Sequence, residues 1–310
     1  MTNKKHRLVT RSDFDGLVCA VLLKQLELID DITFVHPKDM QDGKVDIQEG
    51  DIVTNLPYVP KAFLVFDHHL SETLRNDTEL DNHIIDPNAP SAARVVWDYY
   101  GGSDTFPSRW KEMMAAVDKG DSAQFSRDEI LDSTGWNLLN FLMDARTGLG
   151  RFRQFRISNY QLMMDLIDYC KDRTIEEILD HPDVQERIEL YRDHEDKFKQ
   201  QILRCSTVHK NLVLLDLTDE ETIYSGNRFM IYALFPQCNI SIHKMWGFQR
   251  QNIVFATGKS IFDRSCQTNV GELMLHYGGG GHKAAGTCQI AVEQADDVQQ
   301  ALINAITEAG

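Results

Sequence analysis

The chain is predicted to be an α/β protein: an N-terminal doubly wound, mainly parallel sheet, a helical linker and a smaller C-terminal α/β domain. Three observations predict it. Ala62-Phe63-Leu64-Val65-Phe66 is an unbroken apolar run, the pattern of a strand buried on both faces. Short apolar runs alternate with helical patterns through the first part of the chain, as parallel βαβ units require. After a charge-rich helical stretch the strand patterns resume near Thr207. The expected division is residues 1–185, a linker at 186–206 and a second domain at 207–310.

Lys5 to Thr10 reads as the first strand and runs into Arg11-Ser12-Asp13-Phe14-Asp15-Gly16. Val18, Cys19, Val21, Leu22, Leu23 and Leu26 then give the following helix a broad apolar face. Asp13 and Asp15 are two apart on a strand-to-helix turn and so share a side. Paired carboxylates repel unless a cation lies between them, and hard divalent cations prefer oxygen ligands. A helix N-cap accounts for one of these aspartates, not for both. Ile32 to His36 and Asp51 to Asn55 are the next strands, the latter stopped by Pro57 and Pro60, so Asn55 stands at a strand end.

The Phe63 strand ends in Asp67-His68-His69. Open α/β sheets bind ligands at the carboxyl ends of their strands, so three potential metal or phosphate ligands sit at such an edge. His83 to Asp86 is a further short strand. Ser91 is expected to cap a helix through Trp97 and Tyr100 that ends at Gly101-Gly102. The helix around Trp110 to Val117 leads into Asp118-Lys119-Gly120-Asp121. Acid at a helix C-terminus opposes the dipole and calls for a separate reason.

From Trp136 to about Cys205 the pattern is helical. Arg146, Arg151, Arg153 and Arg156, interleaved with Phe152 and Phe155, are read as a solvated connection, with nucleotide contact the alternative. In the second domain Asn211–Leu217, Phe229–Phe235, Ile240–Met245 and Asn252–Thr257 are expected strands, and Asn269–Tyr277 a helix. Gly278-Gly279-Gly280-Gly281-His282-Lys283 follows. Four glycines in a folded domain carry an entropic cost. Close approach of a ligand or of another backbone, or unusual dihedrals, is the usual compensation. A nest of Gly N–H groups beside His282 and Lys283 would bind phosphate, and Arg264 is a second candidate anion contact.

The bulk composition narrows the partners. The 310 residues carry a formal net charge of -15, and no basic run tracks a long nucleic-acid backbone. A short anionic substrate is compatible with local cations. No apolar run reaches the length of a bilayer span. Met1 to Arg7 is polar and basic, and Arg11-Ser12-Asp13 breaks the apolar stretch after it, unlike a secretory signal. The six scattered cysteines suggest reduced thiols in a cytoplasmic protein.

Asp13-Phe14-Asp15-Gly16, Phe66-Asp67-His68-His69, Asp118-Lys119-Gly120-Asp121 and Gly278 to Gly286, in that order, resemble the DHH–DHHA1 phosphoesterase superfamily over nearly the whole chain. The Asp-His-His strand end and the Gly-Gly-Gly-His run are the strongest matches. The resemblance implies a two-domain hydrolase of phosphodiester or phosphoanhydride bonds that uses one or two Mn2+ or Mg2+ ions. It places metal ligands at Asp13, Asp15, His68 and Asp118, with Asp121 the alternative register and Asn55 at the position of a bridging Asp. Asp67 is expected to orient His68, and His69 to face phosphate. Gly279, Gly280, Gly281, His282, Lys283 and Arg264 would grip the substrate.

Two departures stand out from that pattern. A His that usually precedes the Asp pair is absent, and Arg11 there could supply fixed positive charge. Asn55 is a weaker bridge than a carboxylate. The expected reaction is hydrolysis of short linear dinucleotides such as pGpG, or of nanoRNA, to mononucleotides. A site split between two domains would measure substrate length. The alternatives are a polyphosphate or pyrophosphate hydrolase, cleavage of a cyclic dinucleotide, or a catalytically weak nucleotide-binding protein. Neither long duplex nucleic acid nor a membrane is an expected partner, and a homodimer is compatible with the reading.

Overall fold

The computed structural model describes residues 5–36, 39–40, 42–69 and 80–310. The first four residues of the basic N-terminal stretch lie outside them. The chain forms two compact units. One takes the chain through Phe125 together with Ser133–Glu189, and the other takes Ser126–Asp132 with Leu190–Gly310.

The first unit is built on five strands, β1 (His6–Arg11), β2 (Ile29–Val35), β3 (Ile52–Thr54), β4 (Leu64–Asp67) and β5 (His83–Ile85). They form an all-parallel sheet in the order β2-β1-β3-β4-β5. The strand order reverses between β1 and β3, the switch point at which open sheets leave a crevice. Thr10 pairs with Thr54 and Thr54 with Phe66. The next residues, Arg11, Asn55 and Asp67, therefore stand at one level along its carboxyl edge.

Burial is nearly complete along the central strands, as a two-sided sheet requires. Val9, Val53 and Val65 pack under Met40, Ile47, Leu56 and Ala62 on one face. The helices begin with α1 (Phe14–Gln25), buried without a break from Phe14 to Leu23. It packs against α2 (Ala92–Tyr99) and α3 (Lys111–Asp121). Ser91 caps α2, its Oγ accepting from the Arg94 amide at 3.0 Å.

Further along lie α4 (Arg127–Leu131), α5 (Gly135–Met143), α6 (Asn159–Asp172) and α7 (Ile175–Leu179). α6 is a further neighbour of α1. Arg127 in α4 donates to the Ala233 carbonyl at 2.9 Å, a bond internal to the second unit. The 24-residue helix α8 (Pro182–Cys205) carries the chain from one unit into the other.

The second unit holds a six-stranded sheet in the order β10-β11-β9-β8-β7-β6. Its strands are β6 (Ser206–His209), β7 (Leu212–Asp216), β8 (Ile240–Trp246), β9 (Ile253–Lys259), β10 (Gly280–His282) and β11 (Ala285–Ile290). Only β7 and β8 pair in parallel. Leu212, Ile240, Phe255 and Cys288 share a core with Leu302 and Ile306 of the C-terminal helix.

Two expectations are corrected here. Phe229–Phe235 is not a strand: Met230–Leu234 is the helix α9, with Asn227 Oδ1 accepting from the Phe229 amide at 2.9 Å. A continuous apolar run has no period to separate strand from helix, and this one is buried all round. The glycine run is not an open nest either. Gly280–His282 is an edge strand paired to β11. A Cβ on Gly279 or Gly281 would strike the facing backbone at Thr287 or Ala285. The compensation for these two glycines is thus close approach of another backbone.

Gly16 has a comparable role in the first turn of α1. A Cβ there would run into the Arg11 carbonyl and Thr10 Oγ1. Because the obstacle is backbone, no rotamer relieves it. Gly16→Ala is expected to destabilise the protein by roughly 1–3 kcal/mol. Denaturant unfolding followed by circular dichroism measures this, and an unchanged midpoint would refute the account of the turn.

Candidate metal centre

The carboxyl edge of the parallel sheet gathers Asp15, His68 and Asp121. One ligand atom from each lies within 4.8 Å of the others. Asp15 is on the first turn of α1 and is 2% exposed. Its two oxygens accept from the Ala92 and Ala93 amides at 2.9 and 2.7 Å. These are the first free N–H groups of α2, the natural seat of an anion. Burial first, and then the charge of Asp121, nevertheless push its pKa up to about 7.

His68 follows the end of β4. Its Nδ1 donates to the Ala89 carbonyl at 3.2 Å, and its Nε2 lies 3.0 Å from Asp121 Oδ2. A carbonyl on Nδ1 selects the tautomer that leaves the Nε2 lone pair for a cation. Burial alone would depress this imidazole. The hydrogen bond to Asp121 and the charge of Asp15 outweigh it and push the pKa up to about 9. For Asp121, burial opposes ionisation but His68 overcomes it, and the carboxyl stays below its usual range.

Asp118, the expected ligand with Asp121 as its alternative, is instead engaged away from this group. Its Oδ1 accepts from Ser91 Oγ at 2.7 Å and its Oδ2 from Arg94 Nε at 3.0 Å. It ties α3 to the start of α2. Three residues along a helix is most of a turn, so Asp118 and Asp121 share a face but sit at successive levels.

The expected role of Asp67 is also corrected. Its Oδ1 accepts from His69 Nδ1 at 2.6 Å, so it orients His69 and not His68. In an extended segment residues i and i+2 share a side while i+1 points away. His69 is raised as well: burial works against protonation, and the Asp67 hydrogen bond overcomes it.

Asp13 caps α1 and does not belong to the three-ligand group among the described residues. Burial first raises its pKa, with Arg11 opposing. Asn55 is 1% exposed and takes a left-handed backbone with φ 55°, which asparagine tolerates. Its Nδ2 donates to Asp13 Oδ1 at 3.3 Å. Asn55 Oδ1 and Asp67 Oδ2 are buried without a hydrogen-bond partner. Two carboxylates, an imidazole and uncommitted buried oxygens on the adjoining strand ends suit Mn2+ or Mg2+.

The expected place of Arg146 is a solvated connection, yet its charge reaches the first turn of α1. Nε of Arg146 lies 2.7 Å from Asp144 Oδ1, and its charge helps to lower Asp13. No local pattern marks it, because the effect arises from tertiary proximity. In the second unit His282 and Lys283 are exposed at the end of β10, and Arg264 Nε donates to the Ile261 carbonyl at 3.3 Å.

No family model matches the chain, and no curated relative matches it. Among solved structures, the pGpG-specific phosphodiesterase PggH from Vibrio cholerae is 74% identical, covers 99% of this chain and 100% of its own, and superposes with a TM-score of 0.87. The chain belongs to the DHH–DHHA1 phosphoesterase superfamily. CDC45 from Entamoeba histolytica matches at a TM-score of 0.50 and 9% identity over 98% of this chain and 96% of that one, a likeness of fold alone. RecJ of Thermus thermophilus, solved with Mg2+, reaches a TM-score of 0.49 at 14% identity, over 98% of this chain and 50% of its own. So loose a match does not bear on function.

Two outcomes follow for this DHH-type centre. Asp121→Asn is expected to abolish Mn2+ binding with the fold intact. Asp118→Asn should keep Mn2+ binding and lose roughly 1.5–3 kcal/mol of stability, the scale of a hydrogen bond to a charged group. Calorimetric Mn2+ titration and thermal melts separate the two, and the reverse pattern would make Asp118 the ligand. Metal-free His68 is protonated below about 9, and a cation must displace that proton. Mn2+ affinity should therefore rise with pH up to that value, with proton release visible as a buffer-dependent heat. A flat profile would contradict the assignment.

Proposed function

We propose that this chain is a metal-dependent phosphodiesterase that hydrolyses short linear dinucleotides such as pGpG to mononucleotides. The observation that carries the reading is 74% identity along essentially the whole chain to a pGpG-specific phosphodiesterase. The Asp15–His68–Asp121 cluster supports it chemically. A divalent cation bound there would neutralise charge on the transferring phosphoryl group and lower the pKa of water.

The protein's own groups do the rest. Asp67 holds His69 in a fixed orientation by a 2.6 Å bond, and that pairing favours the protonated imidazole. His69 is thereby suited to donate to a phosphoryl oxygen or to protonate the leaving oxygen. As water adds to phosphorus and gives up a proton to solvent, the P–O bond to the departing nucleotide breaks, the leaving oxygen takes up the His69 proton, and His69 regains a proton from solvent. Arg11 adds a further positive charge beside Asp13. In the second unit Arg264, Gly279, Gly280, Gly281, His282 and Lys283 are the proposed substrate contacts.

An excess of acid elsewhere supports a short substrate over a long polyanion. No helix among the described residues is long and apolar enough to cross a membrane. All six cysteines are free, which supports a reducing, cytoplasmic setting.

The test is a panel of pGpG, longer oligonucleotides, a cyclic dinucleotide and polyphosphate, each incubated with Mn2+ and resolved chromatographically. GMP from pGpG is expected to dominate, and Asp15→Ala should bring turnover to background with the fold intact. Phosphate release from polyphosphate with pGpG untouched would replace the proposal with the rival hydrolase. Tight pGpG binding without turnover would make the protein a nucleotide binder.

A further inference from the structure

The two aspartates of the first turn are handled differently, and the difference bears on how many ions the centre takes. Asp15 meets His68 and Asp121, whereas Asp13 stands outside that group among the described residues. The Asp13 carboxylate is already engaged on both oxygens. Its Oδ2 lies 2.8 Å from Arg11 Nε. Its Oδ1 accepts from the Gly16 amide at 3.0 Å and from Asn55 Nδ2 at 3.3 Å.

Each of these partners is a donor. An ionised carboxylate only accepts, so the Asn55 amide must present its NH2 side to Asp13. A divalent cation approaching Asp13 would meet guanidinium and amide hydrogens, both repelled by positive charge. We propose that the centre holds one divalent cation, at Asp15, His68 and Asp121, and that the Arg11 guanidinium, clamped on Asp13, serves as its second positive charge. The proposal rests on the reading of that cluster as a metal site.

The arrangement has a chemical use. A guanidinium stays charged and its fork of donors matches phosphate oxygens. Nε of Arg11 is spent on Asp13, while the side chain is 31% exposed. Its terminal nitrogens remain able to meet an oxygen of a substrate phosphate held at the ion. The strand register sets this up: Arg11, the last residue of β1, and Asn55, just past β3, directly follow the paired Thr10 and Thr54. Asn55 also keeps its buried Oδ1 uncommitted. One amide thus blocks a cation at Asp13 and retains an oxygen suited to the single ion.

The experiment counts ions in the full-length chain, stripped with chelator and dialysed against Mn2+, with bound metal and protein quantified and the spin resonance spectrum recorded. One Mn2+ per chain with the six-line spectrum of an isolated ion is expected. Two tightly bound, exchange-coupled ions would overturn the proposal while leaving the metal site itself standing. No bound ion would overturn the metal reading beneath it.

The double substitution Arg11→Ala with Asn55→Asp removes the guanidinium and supplies a carboxylate. It is expected to raise the count from one to two in protein whose thermal melt stays cooperative. A folded double variant that still binds one ion would refute the role given to Arg11. If the double variant does not fold, Arg11→Lys alone decides. Lysine keeps the charge but not the fork, so the count should stay at one while kcat/KM for pGpG falls at least tenfold. An unchanged kcat/KM would show that Arg11 does not meet the phosphate.

Discussion

The whole carboxyl edge of the first sheet depends on one buried anion, Asp15. It has almost no access to water, and its two oxygens are held by the first amides of a helix that begins 77 residues further along the chain. Such bonds contribute roughly 1.5–3 kcal/mol each when the acceptor is charged, yet burial still lifts the group to about 7. The amides satisfy its geometry without fully compensating its charge. A neighbouring positive charge is required, and His68 is placed to provide it.

The surrounding acids obey the same electrostatic demand with different partners. Asp118 is neutralised by Arg94, Asp13 by Arg11, and Asp67 by His69. Among the described residues, Asp15 and Asp121 are left to share His68. The charge arrangement therefore separates anions with a basic partner of their own from the pair that the proposed function assigns to metal. That pair competes for one imidazole.

The second unit applies another constraint. Its glycine run is read more readily as a phosphate loop than as a strand, because glycine has poor strand propensity. The packing nevertheless makes it a strand. Gly281 lies across from Gly286 in the β10–β11 pair, and the main chains approach so closely that side chains cannot fit. The exposed His282 and Lys283 come at the end of that edge. They are carried by a braced hairpin and not by a mobile tip.

Much of the protein was legible in the sequence. Continuous apolar runs marked the buried parallel strands, the Asp-His-His strand end marked the site, and Ser91 marked a helix start, all through signals confined to a few neighbouring residues. Three features were decided only in three dimensions. Asp121 and not Asp118 joins Asp15, because helix packing places one level of α3 at the crevice and the other against Arg94. Asp67 serves His69, because those two side chains meet while His68 turns to the Ala89 carbonyl. The helix at Met230–Leu234 was not legible, because a continuous, mostly buried apolar run carries no period that distinguishes helix from strand. Local pattern specifies which elements form and which residue types they carry. Which acid meets which base depends on contacts across tens of residues, and only the packed fold brings those partners within reach.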